Sequence, residues 1–179
     1  MSAPPVPQAS GSPLVLGSPP ARREVLRDAM IVEGHALVDV ELAGYVLGPP
    51  LGTAPVVIVI GGITASPFPF GDPTSGAEAW WPALAEAGLV DPTRMTVLCP
   101  CWPGNGSTWH GFDEGAIPPL SALGLADLIA AWLDGLGCTS PVTYVGASLG
   151  GLVGIAFAVR HAARCARLIT ISAGLRPDG

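Results

Sequence analysis

The chain reads as an α/β protein built on one mostly parallel sheet flanked by helices, and three features predict this. Apolar β-branched runs, above all Val56-Val57-Ile58-Val59-Ile60, stop at glycine turns, as strands covered on both faces do. From residue 95 onward such runs alternate with segments of helical period, the order that a parallel sheet with crossover helices requires. The composition, 49% hydrophobic and only 12% charged, suits a sheet covered on both sides.

Taken in order, residues 1–21 hold six prolines and little that could pack, so burial would not offset the cost of ordering them. A disordered leader is expected there, followed by a single domain over residues 22–179. Irregular alternation through Val38, Val40, Leu42, Tyr45 and Leu47 predicts an antiparallel strand over 38–48, ahead of the main sheet. Residues 56–60 and 95–98 are the next two strands, with a short helix expected over 77–87 between them. Residues 100–119 are rich in glycine and proline without period, which marks a long functional loop. Leu125, Leu128, Ile129, Trp132 and Leu133 recover helical spacing over 120–136, with a C-cap expected at Gly137. Strand 142–146, helix 150–164 and strand 168–172 complete the pattern. The last of these would leave an apolar, aggregation-prone edge.

Charge and cysteine usage exclude several classes. Net charge is −6, from 14 acidic against 8 basic residues, and no basic cluster is dense enough to follow a phosphate backbone, so nucleic-acid binding is not expected. Cys99, Cys101, Cys138 and Cys165 lack the spacing of a zinc or thioredoxin-type site; they read as reduced, mostly buried thiols, and no metal is expected. The N-terminus has neither a basic n-region nor a long apolar h-region, and no apolar run reaches the ~20 residues of a membrane span. A cytoplasmic address without membrane contact is the expectation.

The chemistry concentrates at Gly146-Ala147-Ser148-Leu149-Gly150, a G-x-S-x-G between a predicted strand and a predicted helix. This is the setting of a nucleophile elbow, in which small residues two before and two after the serine allow a strained strand-to-helix turn. Ser148 is therefore the candidate nucleophile of an α/β-hydrolase fold, and the Leu149 N–H one candidate oxyanion donor. A second donor is expected from the turn after an earlier strand, where Gly61-Gly62-Ile63-Thr64 follows residues 56–60; the Ile63 N–H is the candidate, with Gly62 allowing close approach.

A serine nucleophile needs a base. His161 lies 13 residues beyond Ser148 on the same predicted helix, roughly 20 Å away at about 1.5 Å per residue, and is too distant. His35 is expected ahead of the sheet, on the surface. His110 lies in the long loop on the serine's edge of the sheet, but the usual chain order of serine, acid, histidine disfavours it. Asp178 falls too early to be the acid. The domain therefore reads as C-terminally incomplete, the N-terminal portion of such a fold.

Beyond the elbow, the order and spacing of Ala79-Trp80-Trp81-Pro82, Asp91-Pro92-Thr93-Arg94, Gly104-Asn105-Gly106-Ser107-Thr108, Asp127 and Val145-Gly146-Ala147-Ser148-Leu149-Gly150-Gly151 resembles the homoserine O-acyltransferases of the α/β-hydrolase superfamily. The resemblance implies a serine acylated by acetyl-CoA or succinyl-CoA as co-substrate, transfer of the acyl group to the hydroxyl of homoserine or serine on the route to methionine, no bound cofactor, and a homodimer when full length. It also implies that the acid and histidine lie beyond Gly179. Two positions depart from the family pattern: Gly61, where a histidine is common, and Cys101-Trp102-Pro103-Gly104, where Leu-Gly-Gly is commoner. A carboxylic-ester hydrolase of the same fold and a catalytically inactive truncated remnant are the alternatives.

Overall fold

The computed structural model describes residues 21–33, 35–103 and 120–174. Among these residues six strands form one sheet, β1 (Arg22–Val32), β2 (His35–Leu47), β3 (Val56–Ile60), β4 (Thr96–Pro100), β5 (Val142–Ala147) and β6 (Cys165–Ile171), in the order β1-β2-β4-β3-β5-β6. β1 with β2 and β2 with β4 are antiparallel, while β4, β3, β5 and β6 run parallel. The helices are α1 (Ala83–Glu86), α2 (Ala122–Gly135) and α3 (Leu149–Arg160).

The unbroken apolar run of β3 has a simple origin. Successive strand side chains point to opposite faces, and here each face meets its own core. Val56, Ile58 and Ile60 join Leu98, Val142 and Tyr144 under the helix side formed by Trp132, Leu133, Val153 and Phe157. Val57 and Val59 join Val97, Cys99 and Val145 on the opposite side, against Phe70, Leu84 and Val90. Both faces are dry, so no polar alternation appears in the sequence.

α2 begins where Ser121 caps it, its hydroxyl accepting the N–H groups of Leu123 and Gly124 at 3.1 and 3.3 Å. The Glu33 carboxylate, at the tip of the β1–β2 hairpin, in turn accepts the Ser121 N–H at 3.0 Å and the Ser121 hydroxyl. α2 ends at Gly135 with its C-cap at Leu136, one residue before the Gly137 expected, and Gly137 follows with the positive φ of 69° common just past a helix end.

Several elements differ from the sequence expectation. β1 is a strand that the mixed residues of 22–32 did not announce, and His35 opens β2 instead of preceding the sheet. The 77–87 helix contracts to four residues. Pro82 sits at its N-cap with φ −61°, and a proline disfavours helical backbone in the residue before it, so Trp80 and Trp81 stay in the loop and stack at 5.3 Å. β4 starts at Thr96 and runs on to Pro100, because Cys99 and Pro100 pair with Tyr45 and Gly44 of β2. α3 stops at Arg160, and residues 162–164 form a 3₁₀ turn that hands the chain to β6 at Cys165, three residues earlier than expected. β6 is the edge strand, with Ile169 and Ile171 48% and 45% exposed. No disulfide joins the four cysteines, two of which are buried and two partly so. No helix among the described residues is long and apolar enough to cross a membrane.

Candidate active site

Ser148 occupies the turn between β5 and α3 with φ 53° and ψ −121°, a conformation that costs a non-glycine residue on the order of 1–3 kcal/mol. Its surroundings hold it there. The Ser148 N–H donates to the Ile171 carbonyl of β6 at 2.9 Å, and its own carbonyl accepts the Leu152 N–H at 3.0 Å inside α3. The side chain makes no capping hydrogen bond and is exposed. Its hydroxyl is thus presented outward at the C-terminal edge of the parallel strands, where the N-terminus of α3 also points.

The flanking glycines are demanded by contact. A Cβ on Gly146 would lie 2.4 Å from the Gly150 carbonyl oxygen, and one on Gly150 would lie 2.5 and 2.7 Å from the carbonyl oxygens of Ile60 and Gly61. At the next position, a Cβ on Gly151 would meet the Ala173 methyl at 2.5 Å. No side chain fits these places without moving backbone, so the elbow packs directly on the end of β3. The Gly150 N–H seals that junction by donating to the Gly61 carbonyl at 3.2 Å.

The turn after β3 lies beside the serine. A Cβ on Gly62 would stand 3.6 Å from Ser148 Cβ and 3.7 Å from its Oγ, so the Gly62 backbone borders the hydroxyl. Among the described residues, neither the Ile63 N–H nor the Leu149 N–H donates to a carbonyl or side chain. Leu149 is the first residue of α3, where such an orphan donor is intrinsic to the helix end. Gly61 has a local reason as well: a side chain there would collide with the Ala65 methyl at 2.4 Å and the Trp80 ring at 2.8 Å. Two tryptophans that the sequence motifs contain, but to which no part in this turn was assigned, hold it. Trp80 Nε1 donates to the Ser66 carbonyl at 2.8 Å, and Trp102 Nε1 donates to the carbonyls of Gly61 and Gly62 at 3.2 and 3.0 Å. The unusual Cys101-Trp102-Pro103 was the only hint of the second.

With these contacts in place, a G-x-S-x-G serine on a strained strand-to-helix turn stands at the C-terminal edge of a mostly parallel sheet. The chain also matches the family model described as alpha/beta hydrolase fold, over residues 55–178. The chain belongs to the α/β-hydrolase fold family. Within that family it is similar to the homoserine O-succinyltransferase of Xanthomonas campestris pv. campestris, 36% identical over 124 residues that make up 69% of this chain and 32% of that protein. It is also similar to the homoserine O-acetyltransferase of Haloarcula marismortui, 31% identical over 121 residues, 60% of this chain and 29% of that protein. Among solved structures, homoserine O-acetyltransferase from Staphylococcus aureus superposes with a TM-score of 0.71 at 17% identity, covering 89% of this chain and 48% of that one. Esterase E22 superposes with a TM-score of 0.69 at 15% identity, covering 89% and 49%. The chain therefore spans about a third of the length of the curated relatives it matches.

A serine that acts as a nucleophile needs a base, and His161 is not placed to serve Ser148. It caps the far end of α3, where its Nε2 lies 2.8 Å from Asp127 Oδ1, an oxygen that Arg160 Nε also reaches at 2.7 Å. This cluster ties α3 to α2, a full helix length from Ser148. Asp127, one of the residues carrying the resemblance, thus has a structural partner here. His110, Asp178 and the Gly104-to-Thr108 motif lie outside the described residues, as does the side chain of His35. At Cys99, Cys138 and Cys165 burial foremost pushes the thiols up, away from the thiolate form.

Proposed function

We propose that the protein is an acyl-CoA-dependent O-acyltransferase acting on homoserine or serine, with Ser148 as the acylated residue. The observation that carries this reading is the conjunction of the elbow geometry at Ser148 with 36% identity to a homoserine O-succinyltransferase over 124 residues. In the first half-reaction Ser148 Oγ attacks the thioester carbonyl, its proton passes to a base, the C–S bond breaks, and CoA leaves as the thiol. In the second, the hydroxyl of the amino acid attacks the Ser148 ester, and Ser148 leaves with a proton restored. The carbonyl oxygen becomes an oxyanion twice, and the N–H groups of Leu149 and Ile63 are the donors we assign to it. No metal takes part in this scheme.

The acyl donor is acetyl-CoA or succinyl-CoA, since the similar curated proteins are named for both. A place in methionine biosynthesis, a cytoplasmic location and a homodimeric full-length enzyme fit the same reading. Transferase and esterase chemistry share the acyl-enzyme and differ in whether an amino-acid hydroxyl or water resolves it. Thiol release from each acyl-CoA, measured with and without homoserine or serine, separates them. Release that rises at least tenfold with the amino acid, yielding the O-acyl product, supports the transferase. Release indifferent to the amino acid, giving free acid, makes it a hydrolase, and no release with either donor removes the proposal in favour of an inactive remnant.

A further inference from the structure

We propose that Trp102 is the positioning residue of the oxyanion turn, its indole N–H setting the direction in which the Ile63 N–H points. This inference rests on the reading of Ser148 as the acylated residue. Trp102 is almost fully buried, 4% exposed, and its Nε1 lies between two successive carbonyls, 3.2 Å from that of Gly61 and 3.0 Å from that of Gly62. Each carbonyl also has a second donor, Gly150 N–H at 3.2 Å for Gly61 and Ala65 N–H at 3.0 Å for Gly62.

A trans peptide carries its C=O and N–H on opposite sides, and no cis peptide occurs among the described residues. With the Gly62 carbonyl drawn toward the Trp102 ring and Ala65, the Ile63 N–H across the same peptide is turned the other way and left without an acceptor. The same holds one peptide earlier, where the Gly61 carbonyl is held by Trp102 and by the first turn of α3. Two glycines in a row have no side chains to fix these planes, and freely rotating peptides make poor preorganised donors. Trp102 supplies the missing constraint from the end of β4. Since the Gly62 backbone borders Ser148 Oγ, with its Cβ direction 3.7 Å from that oxygen, fixing this turn fixes a donor beside the attacking atom.

The test replaces the N–H while keeping the ring. In the full-length protein, Trp102→Phe and, to keep the bicyclic shape, benzothienylalanine at position 102 are compared with wild type by two readouts. The first is amide hydrogen exchange at Ala65 and Gly150, which reports the clamp without reference to catalysis. The second is the rate of Ser148 acylation by p-nitrophenyl acetate. Exchange at Ala65 is expected to rise about tenfold, and the acylation kcat to fall about tenfold to a hundredfold with KM within about twofold, a fraction of the loss from deleting a donor outright. Unchanged exchange, or faster exchange with acylation within twofold of wild type, overturns the proposal and leaves Trp102 a packing residue. If Ser148→Ala is acylated as fast as wild type, the nucleophile reading fails and the catalytic half of this proposal with it, an outcome distinct from any change at Ala65.

Discussion

The two ends of α3 carry different polar groups in opposite arrangements. At the N-terminal end, Ser148 is exposed at φ 53° with no capping bond from its side chain, beside two N–H groups that no described acceptor takes. At the C-terminal end, His161 and Arg160 share the Asp127 carboxylate at 2.8 and 2.7 Å, and Arg164 reaches the Cys138 carbonyl at 2.7 Å while pairing with Asp134. A serine, a histidine and an aspartate thus occur along one helix and its neighbour, and they form no triad. What separates a site from a staple here is where the polar groups are directed, outward beside Ser148 and onto the neighbouring helix at the far end. The near end stores backbone strain and open donors, whereas the far end spends its charges on joining α3 to α2.

The largest effect that would break this contrast is expected at the glycines of the elbow. Gly150→Ala drives a methyl to 2.5 Å from the Ile60 carbonyl, so the turn must open. Loss of about 1–3 kcal/mol of stability is expected from such overpacking, with a fall of more than tenfold in Ser148 acylation, read by chemical denaturation and by the acylation rate. Unchanged acylation would mean that the elbow is not held as described. Gly146→Ala should behave the same way, since its methyl would meet the Gly150 carbonyl at 2.4 Å.

A smaller effect, of opposite character, is expected at the far end. Asp127→Ala leaves Arg160 and His161 without their shared acceptor and should cost about 1–2 kcal/mol, while Ser148 acylation stays within about twofold. If acylation collapsed while the protein remained folded, the far end would be part of the catalytic apparatus after all.

The smallest effect concerns neither end and serves as a control. Glu41, buried in β2, is held below its ordinary value of 4.5, chiefly by the hydrogen bond from Arg23, with Arg27 adding to it. A carboxylate whose folded value is depressed stabilises the fold above its unfolded value and loses that contribution as pH falls through the folded one. The stability difference between wild type and Glu41→Gln, measured by urea denaturation, should therefore be full at pH 6–7 and shrink progressively below about pH 4.3. Both arginine side chains are partly exposed, 39% and 71%, so solvent and salt should keep it modest.

What the sequence revealed follows the same division between local and non-local causes. β3 was legible because both of its faces are dry, which leaves an unbroken run of Val and Ile. The elbow was legible because the glycines of G-x-S-x-G answer to atoms a few residues away or at the end of β3. β1 was not, since its residues become a strand only by pairing with β2, where Arg23 and Arg27 meet Glu41 across the ladder. The contraction of the 77–87 helix was written in Pro82, which disfavours helical backbone in the residue before it. Glu33 reaching Ser121 and Trp102 reaching Gly61 and Gly62 join residues 88, 41 and 40 positions apart, and no periodicity encodes such pairs. The exclusion of His161 as the base followed from helix length alone. Its actual partner, Asp127, required the packing of α2 on α3.

The most direct test of the proposed role of Ser148 is to locate the acyl group. The protein is mixed with acetyl-CoA or succinyl-CoA in the absence of any amino acid, quenched in acid and digested, and the peptides are weighed. One acyl mass on the peptide containing Ser148, absent in Ser148→Ala and discharged when homoserine or serine is added before the quench, is the expected result. An acyl group carried elsewhere, or one that persists in Ser148→Ala, would contradict it.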